Sequence, residues 1–212
     1  MKFASAALIG ATVDPLQSVI TNQDAYINKK LGIIFQKPSK WGFLAIKDFG
    51  KLKDEQTLGN GWNDHKEEVW EEIGDPICIA TKYFQDSPKN EGVFSPTITL
   101  HVTHKSELAD LALDSFEELM RMSESGTSQL LRQFKVIKRY LPYTISGCTF
   151  YEYDAEYLFE HIQLDRPLNV ELKVLKAEHG DFYYDFNCHQ SSMANQIADE
   201  EFENLKRSIK LI

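Results

Sequence analysis

The chain has 212 residues, 42% of them hydrophobic and 26% charged, a balance typical of a globular protein with room for one large core. Its formal charge of -9 and the lack of clustered Lys and Arg argue against a nucleic-acid surface, because neutralising phosphates requires such clusters. No apolar run approaches the roughly 20 residues that a bilayer-spanning helix needs, so no membrane span is expected.

At the start, Lys2 precedes an Ala, Leu, Ile and Gly run over residues 3–13 that is similar to a short signal segment. A single basic residue, Asp14-Pro15 close behind, and Val13 where a small residue should precede a cut make export the alternative reading. Cys78, Cys148 and Cys188 are odd in number and contain no C-x-x-C, which favours reduced core thiols and a cytoplasmic compartment. Residues 1–30 read as an extension ahead of a single domain spanning 31–212.

Leu31, Ile33 and Phe35 alternate with Gly32 and Ile34, the period of a strand, and Pro38 ends it so that Trp41 returns to the core. Residues 43–49 read as a short second strand. Residues 48–75 then carry nine acidic side chains against three lysines, and so hold six of the nine net negative charges. Within this acidic insertion Gly59-Asn60-Gly61 is a turn, and residues 63–73 read as a short helix capped by Asn63 or Asp64. Strand character resumes over 77–84, a polar loop follows at 86–92, and Ile98, Leu100 and Val102 alternate with Thr97, Thr99, His101 and Thr103 in the next strand.

Ser106 is the expected cap of a helix over 107–122, with Leu108, Leu111, Ala112, Ser115, Phe116 and Leu119 on one face. Residues 134–140 form a further strand. Tyr151, Tyr153, Ala155 and Tyr157 alternate with Glu152, Asp154 and Glu156; Val170, Leu172 and Val174 with Glu171 and Lys173; Phe182, Tyr184, Phe186 and Cys188 with Tyr183, Asp185, Asn187 and His189. These three runs predict an antiparallel sheet with one apolar and one polar face, the last two joined as a hairpin by His179-Gly180-Asp181. Ala198, Phe202, Leu205, Ile209 and Ile212 form one helical stripe over 199–212, with acids in the first turn and Lys206, Arg207 and Lys210 near the end.

Chemistry-bearing residues are present without a motif. His101 and His104 point to opposite faces of one strand. His65, beside Asp64, Glu68 and Glu72, is the candidate metal ligand, but there is no H-E-x-x-H and a solvated acidic helix is favoured over a metal site. There is no G-x-S-x-G, P-loop or dinucleotide fingerprint, Cys148 and Cys188 have no evident His partner, and Glu152, Asp154 and Glu156 read as a solvated sheet face. No catalytic residue and no cofactor are expected.

The order of elements resembles the PsbP-like superfamily. The resemblance rests on Gly32 to Trp41 with its Pro-x-x-Trp, on Phe94-Ser95-Pro96 opening a strand, on Ser146-Gly147-Cys148 opening another, and on the terminal Phe202, Leu205, Ser208, Ile209 helix. It covers about residues 31–212 and departs from the smaller members in the acidic insertion. It implies an α+β fold, a mainly antiparallel sheet flanked by helices in an α/β/α sandwich, and it carries no catalytic set.

The favoured function is a non-enzymatic protein-binding module, adaptor or chaperone-like, with Trp62, Asp64, Glu67, Glu68, Trp70 and Glu71 as the partner-binding residues. Tryptophans among acids suit an aromatic anchor with a charged rim and a basic protein partner. A monomer or loose oligomer is expected. The alternatives are an exported accessory protein, or a small-ligand protein or enzyme using the Glu152, Asp154 and Glu156 face or a pocket beside His65.

Overall fold

The computed structural model describes residues 19–22, 24–59, 61–84, 94–111, 115–162, 164–191 and 196–212. The signal-like run 3–13, the loop 86–92 and Asn60 of the expected turn lie outside them. In chain order the strands are β1 (Val19–Asn22), β2 (Ala25–Asn28), β3 (Ile33–Gln36), β4 (Gly42–Phe43), β5 (Gln56–Thr57), β6 (Cys78–Thr81), β7 (Thr97–His104), β8 (Arg132–Arg139), β9 (Tyr143–Ile145), β10 (Cys148–His161), β11 (Leu168–His179), β12 (Phe182–Ser191) and β13 (Lys210–Leu211). The helices are α1 (Ile46–Glu55), α2 (Lys66–Ile73), α3 (Phe116–Leu130) and α4 (Gln196–Ser208).

The three long alternating runs become β10, β11 and β12, and all pairings among the described strands are antiparallel. The main sheet runs β4-β6-β7-β12-β11-β10, with β9, β8 and β5 lying in turn along the outer side of β10. A two-residue turn joins β9 to β10: Ser146 and Gly147 both have positive φ, the turn that matches strand twist. A smaller sheet, β1-β2-β3-β13, takes in residues from Val19 onwards.

The expected division into one apolar and one polar face does not occur: register places the apolar rows of β10 and β11 on one face and that of β12 on the other, and both faces of the main sheet are covered. On one, Phe150, Leu175, Ala177, Tyr184, Phe186 and Cys188 pack under the small sheet and α4 in one core, with Phe35 edge-on to Phe186 and Trp41 edge-on to Phe202. The α4 stripe of Ala198, Phe202, Leu205 and Ile209 is at most 2% exposed, each large side chain contributing roughly 1.5–3 kcal/mol. On the other face Tyr153, Ala155, Tyr157, Val170, Leu172 and Val174 form a second core, joined by Met120 of α3 and by Phe134 and Val136 of β8.

Four boundaries differ from expectation. α4 stops at Ser208, and the chain turns at Ile209 to add β13 beside β3, so Leu211 is buried and Ile212 is 72% exposed. Ile212 N–H donates to Gly32 O at 2.8 Å; with φ of 63° and a Cβ that would lie 2.3 Å from Ile212 O, residue 32 has to be glycine. Residues 43–49 are not a strand: β4 pairs only over Gly42 and Phe43, and α1 begins at Ile46, a short apolar run fitting either period. The expected helix over 107–122 is described as a 3₁₀ segment, Lys105–Leu111, and α3, with Ala112 of the expected face lying outside the described residues. Ser115 Oγ accepts from Glu118 N–H at 3.2 Å and is the true cap, whereas Ser106 bonds His104 Nδ1 at 2.6 Å.

Candidate functional site

The acidic segment folds as α1, β5, a 3₁₀ turn at Trp62–His65, and α2. β5 pairs with Glu160 and His161 at the end of β10 and ties the segment to the sheet. Asn63 does not cap α2: its Oδ1 accepts from Leu58 N–H at 2.8 Å and its Nδ2 donates to Leu58 O at 3.0 Å, closing the turn before the helix. Neither it nor Asp64 bonds the helix end, whose cap is His65 without a side-chain bond.

α2 is held by its apolar side. Val69 is buried, and the Trp70 ring covers the ammonium of the largely buried Lys53 at 5.3 Å, while that ammonium pairs with Asp75 at 2.8 Å. Trp62 is half-buried and lines a cavity, so the two tryptophans part: Trp70 seats the helix and Trp62 faces open space. Asp64, Glu67, Glu68 and Glu71 are all exposed. His65 is exposed, with Glu68 3.4 Å away; the Glu72 side chain lies outside the described residues.

The cavity occupies about 560 Å³ between α2, α3 and the face of β7, β12 and β11 that carries the second core. Its walls include Trp62, Val69, Phe116, Leu119, Tyr153 and Leu172. Its floor follows from register. His101 lies opposite Asp185, Asp185 opposite Lys176, and Lys176 opposite Tyr151, a row across four strands. Lys176 pairs with Asp185 Oδ2 and donates to Ser123 Oγ of α3 at 2.7 Å. Among the described residues, Asp185 Oδ1 is enclosed without a hydrogen-bond partner, an arrangement that costs about 1–3 kcal/mol. Burial holds His101 below its usual range despite Asp185 acting to raise it. Further along this face His189 bonds the Tyr157 hydroxyl at 3.1 Å, and burial, with His101 adding to it, pushes it down to about 4.

The residues of the sequence-level alternative are not brought together as a cleft. Glu152 is not solvated: its side chain is 1% exposed beneath α4, where it meets Lys173 at 3.0 Å and Lys206 at 3.1 Å and accepts from the Tyr143 hydroxyl at 2.5 Å. Burial acts to raise its pKa, but those three partners prevail and hold it below the usual carboxylate range. Asp154 takes Lys173 at 2.7 Å and the Tyr140 hydroxyl at 2.7 Å, and Glu156 is exposed. Cys148 does have a His partner: its Sγ is 3.1 Å from Nδ1 of His179, brought alongside by the pairing of β10 with β11. Burial pushes this thiol up, so the contact is that of a protonated thiol.

These layers define the class: the chain has a PsbP-like α+β fold. It is similar to the solution structure of cyanobacterial PsbP (CyanoP) from Synechocystis sp. PCC 6803, 14% identical, over 93% of this chain and 99% of that one, with a TM-score of 0.50. It is also similar, at TM-scores of 0.45 and 0.42, to LpqN of Mycobacterium tuberculosis (11% identical, covering 84% of this chain and 82% of that one) and to PA94 of Pseudomonas aeruginosa (10% identical, 89% and 92%). No protein-family model matches the chain, and no curated protein matches it in sequence. At these identities the likeness concerns architecture alone. Among the described residues, no helix is long and apolar enough to cross a membrane.

Proposed function

We propose that this chain is a non-enzymatic protein-binding module that takes a basic segment of a partner protein on the exposed face of α2. The observation that carries the reading is the placing of Glu67, Glu68 and Glu71 of α2, and of Asp64 in the turn before it, in solvent, with the helix fixed to the body by Val69 and Trp70. Fixed like charges raise encounter rates with an oppositely charged partner. The half-buried Trp62 and Ile73, which is 42% exposed, supply apolar contact beside that rim, the anatomy of a small interface. The non-enzymatic part is supported by Glu152, the carboxylate best placed for acid/base work by sequence, being engaged by two lysines under α4. The three free, buried thiols support a reducing, cytoplasmic setting.

Affinity capture from the source organism's extract, comparing wild type with Trp62→Ala/Glu67→Lys, tests this. The wild type is expected to retain a protein with a basic surface segment that the variant loses. Equal recovery by both, or recovery of nothing by wild type, overturns it.

A further inference from the structure

We propose that the outer edge of β8 is a docking site for an extended acidic segment of a partner protein, added to the sheet as a further strand. This goes beyond the reading above, since it uses another surface and the opposite charge. Among the described residues β8 pairs only with β10, so its other side is an open ladder. Tyr140 N–H donates to Glu152 O at 3.0 Å, and alternation then turns the N–H and C=O of Arg139 away from β10. Ile137, the extra residue where the register shifts between Asp154 and Ala155, has no partner in β10.

Charge selects the occupant. β8 carries Arg132, Lys135, Lys138 and Arg139 and no acid, in a chain of net charge -9. Arg132 and Arg139 pair with Glu160 and Glu124. Lys135 and Lys138 are exposed and form no salt bridge among the described residues; the Lys138 ammonium lies over the Tyr140 ring at 4.1 Å. Register sets these lysines opposite Glu156 and Asp154, and Asp154 is already taken by Lys173 and Tyr140. A strand laid outside β8 with acids facing Lys135 and Lys138 gives them cross-strand partners. A second copy of β8 does the reverse, setting cations against cations, and the bulge further discourages it.

A second, independent observation is apolar. Ile137 is 53% exposed, and Leu141, just past the strand, is 87% exposed. An edge that only repelled other strands would need its charges and its bulge, but not Ile137 and Leu141 in solvent beside them. These side chains suit the apolar residues that alternate with acids in an added strand.

The test titrates the full chain with a blocked peptide alternating Glu and Val, as long as β8, and with its Lys and Val counterpart, by amide shift mapping and amide hydrogen exchange. We expect the acidic peptide to bind with shifts over residues 133–139 and slowed exchange at Arg139, and the cationic one to bind about tenfold or more weaker. Lys135→Glu/Lys138→Glu is expected to keep its melting temperature and lose about tenfold or more in affinity. No binding of the acidic peptide at millimolar concentration, equal binding of the cationic one, or unchanged exchange at Arg139 overturns the proposal. So does full binding by the folded variant. A wild-type dimer whose shifts on dilution map to β8 overturns it too, since a second copy would then hold the edge. If the variant does not fold, the wild-type shifts and exchange alone decide. Glu67→Lys/Glu68→Lys/Glu71→Lys keeps the slowed exchange at Arg139, so the two readings fail separately.

Discussion

His189 concentrates the pH behaviour of the fold. Its half-buried imidazole bonds the Tyr157 hydroxyl, and desolvation pushes it down to about 4 from the free value of 6.5. The folded pKa is depressed, so between these values the unfolded chain binds the extra proton. The contribution is complete above about pH 6.5 and is lost as pH falls toward 4, amounting to roughly 3 kcal/mol. Urea midpoints measured from pH 7 to 4 should fall steeply for wild type and less steeply for His189→Gln; parallel curves would contradict the assignment. Glu152 makes the opposite demand, because its charge has to stay. Replacing it with Leu leaves Lys173 and Lys206 without their shared counter-charge under α4, and denaturant melts should show a loss of about 3 kcal/mol. A loss below about 1 kcal/mol would mean that Asp154 and Glu203, the lysines' other partners, suffice.

At the level of elements, α4 is the cover of the first core, so Phe202→Ala should cost about 3–5 kcal/mol by denaturant melt. An unchanged melt would remove α4 from the core. Gly126→Ala should raise stability by roughly 1 kcal/mol, because its Cβ meets open space in a helix interior. How far these elements were legible depends on which signal they leave. Alternation in β10, β11 and β12 and the spacing of Phe202, Leu205 and Ile209 are local, and the structure keeps them. The end of α4 depends on β13 pairing with β3, a contact between distant parts of the chain that no local period encodes. Ser106 and Ser115 are equally good caps by type, and only the conformation of the residues after each one decides between them. The polar row of β12 was legible, but not that α3 and α2 would roof it; the row of His101, Asp185 and Lys176 arises from register across β7, β12 and β11. The same non-local pairing brings Cys148 to His179.

For the whole molecule, charge is unevenly distributed. The segment 48–75 holds six of the nine net negative charges, and the fold displays four of its carboxylates on one anchored helix and the turn before it instead of burying them. A partner attracted there should bind with a strong salt dependence, since exposed charges are screened beyond a Debye length of about 8 Å at physiological ionic strength. The most direct measurement is the affinity of the purified captured partner for wild type and for Glu67→Lys/Glu68→Lys/Glu71→Lys across ionic strength. The account predicts that wild-type affinity weakens as salt rises and that the variant binds at least about tenfold more weakly at low salt. Equal affinities with no salt dependence would contradict it.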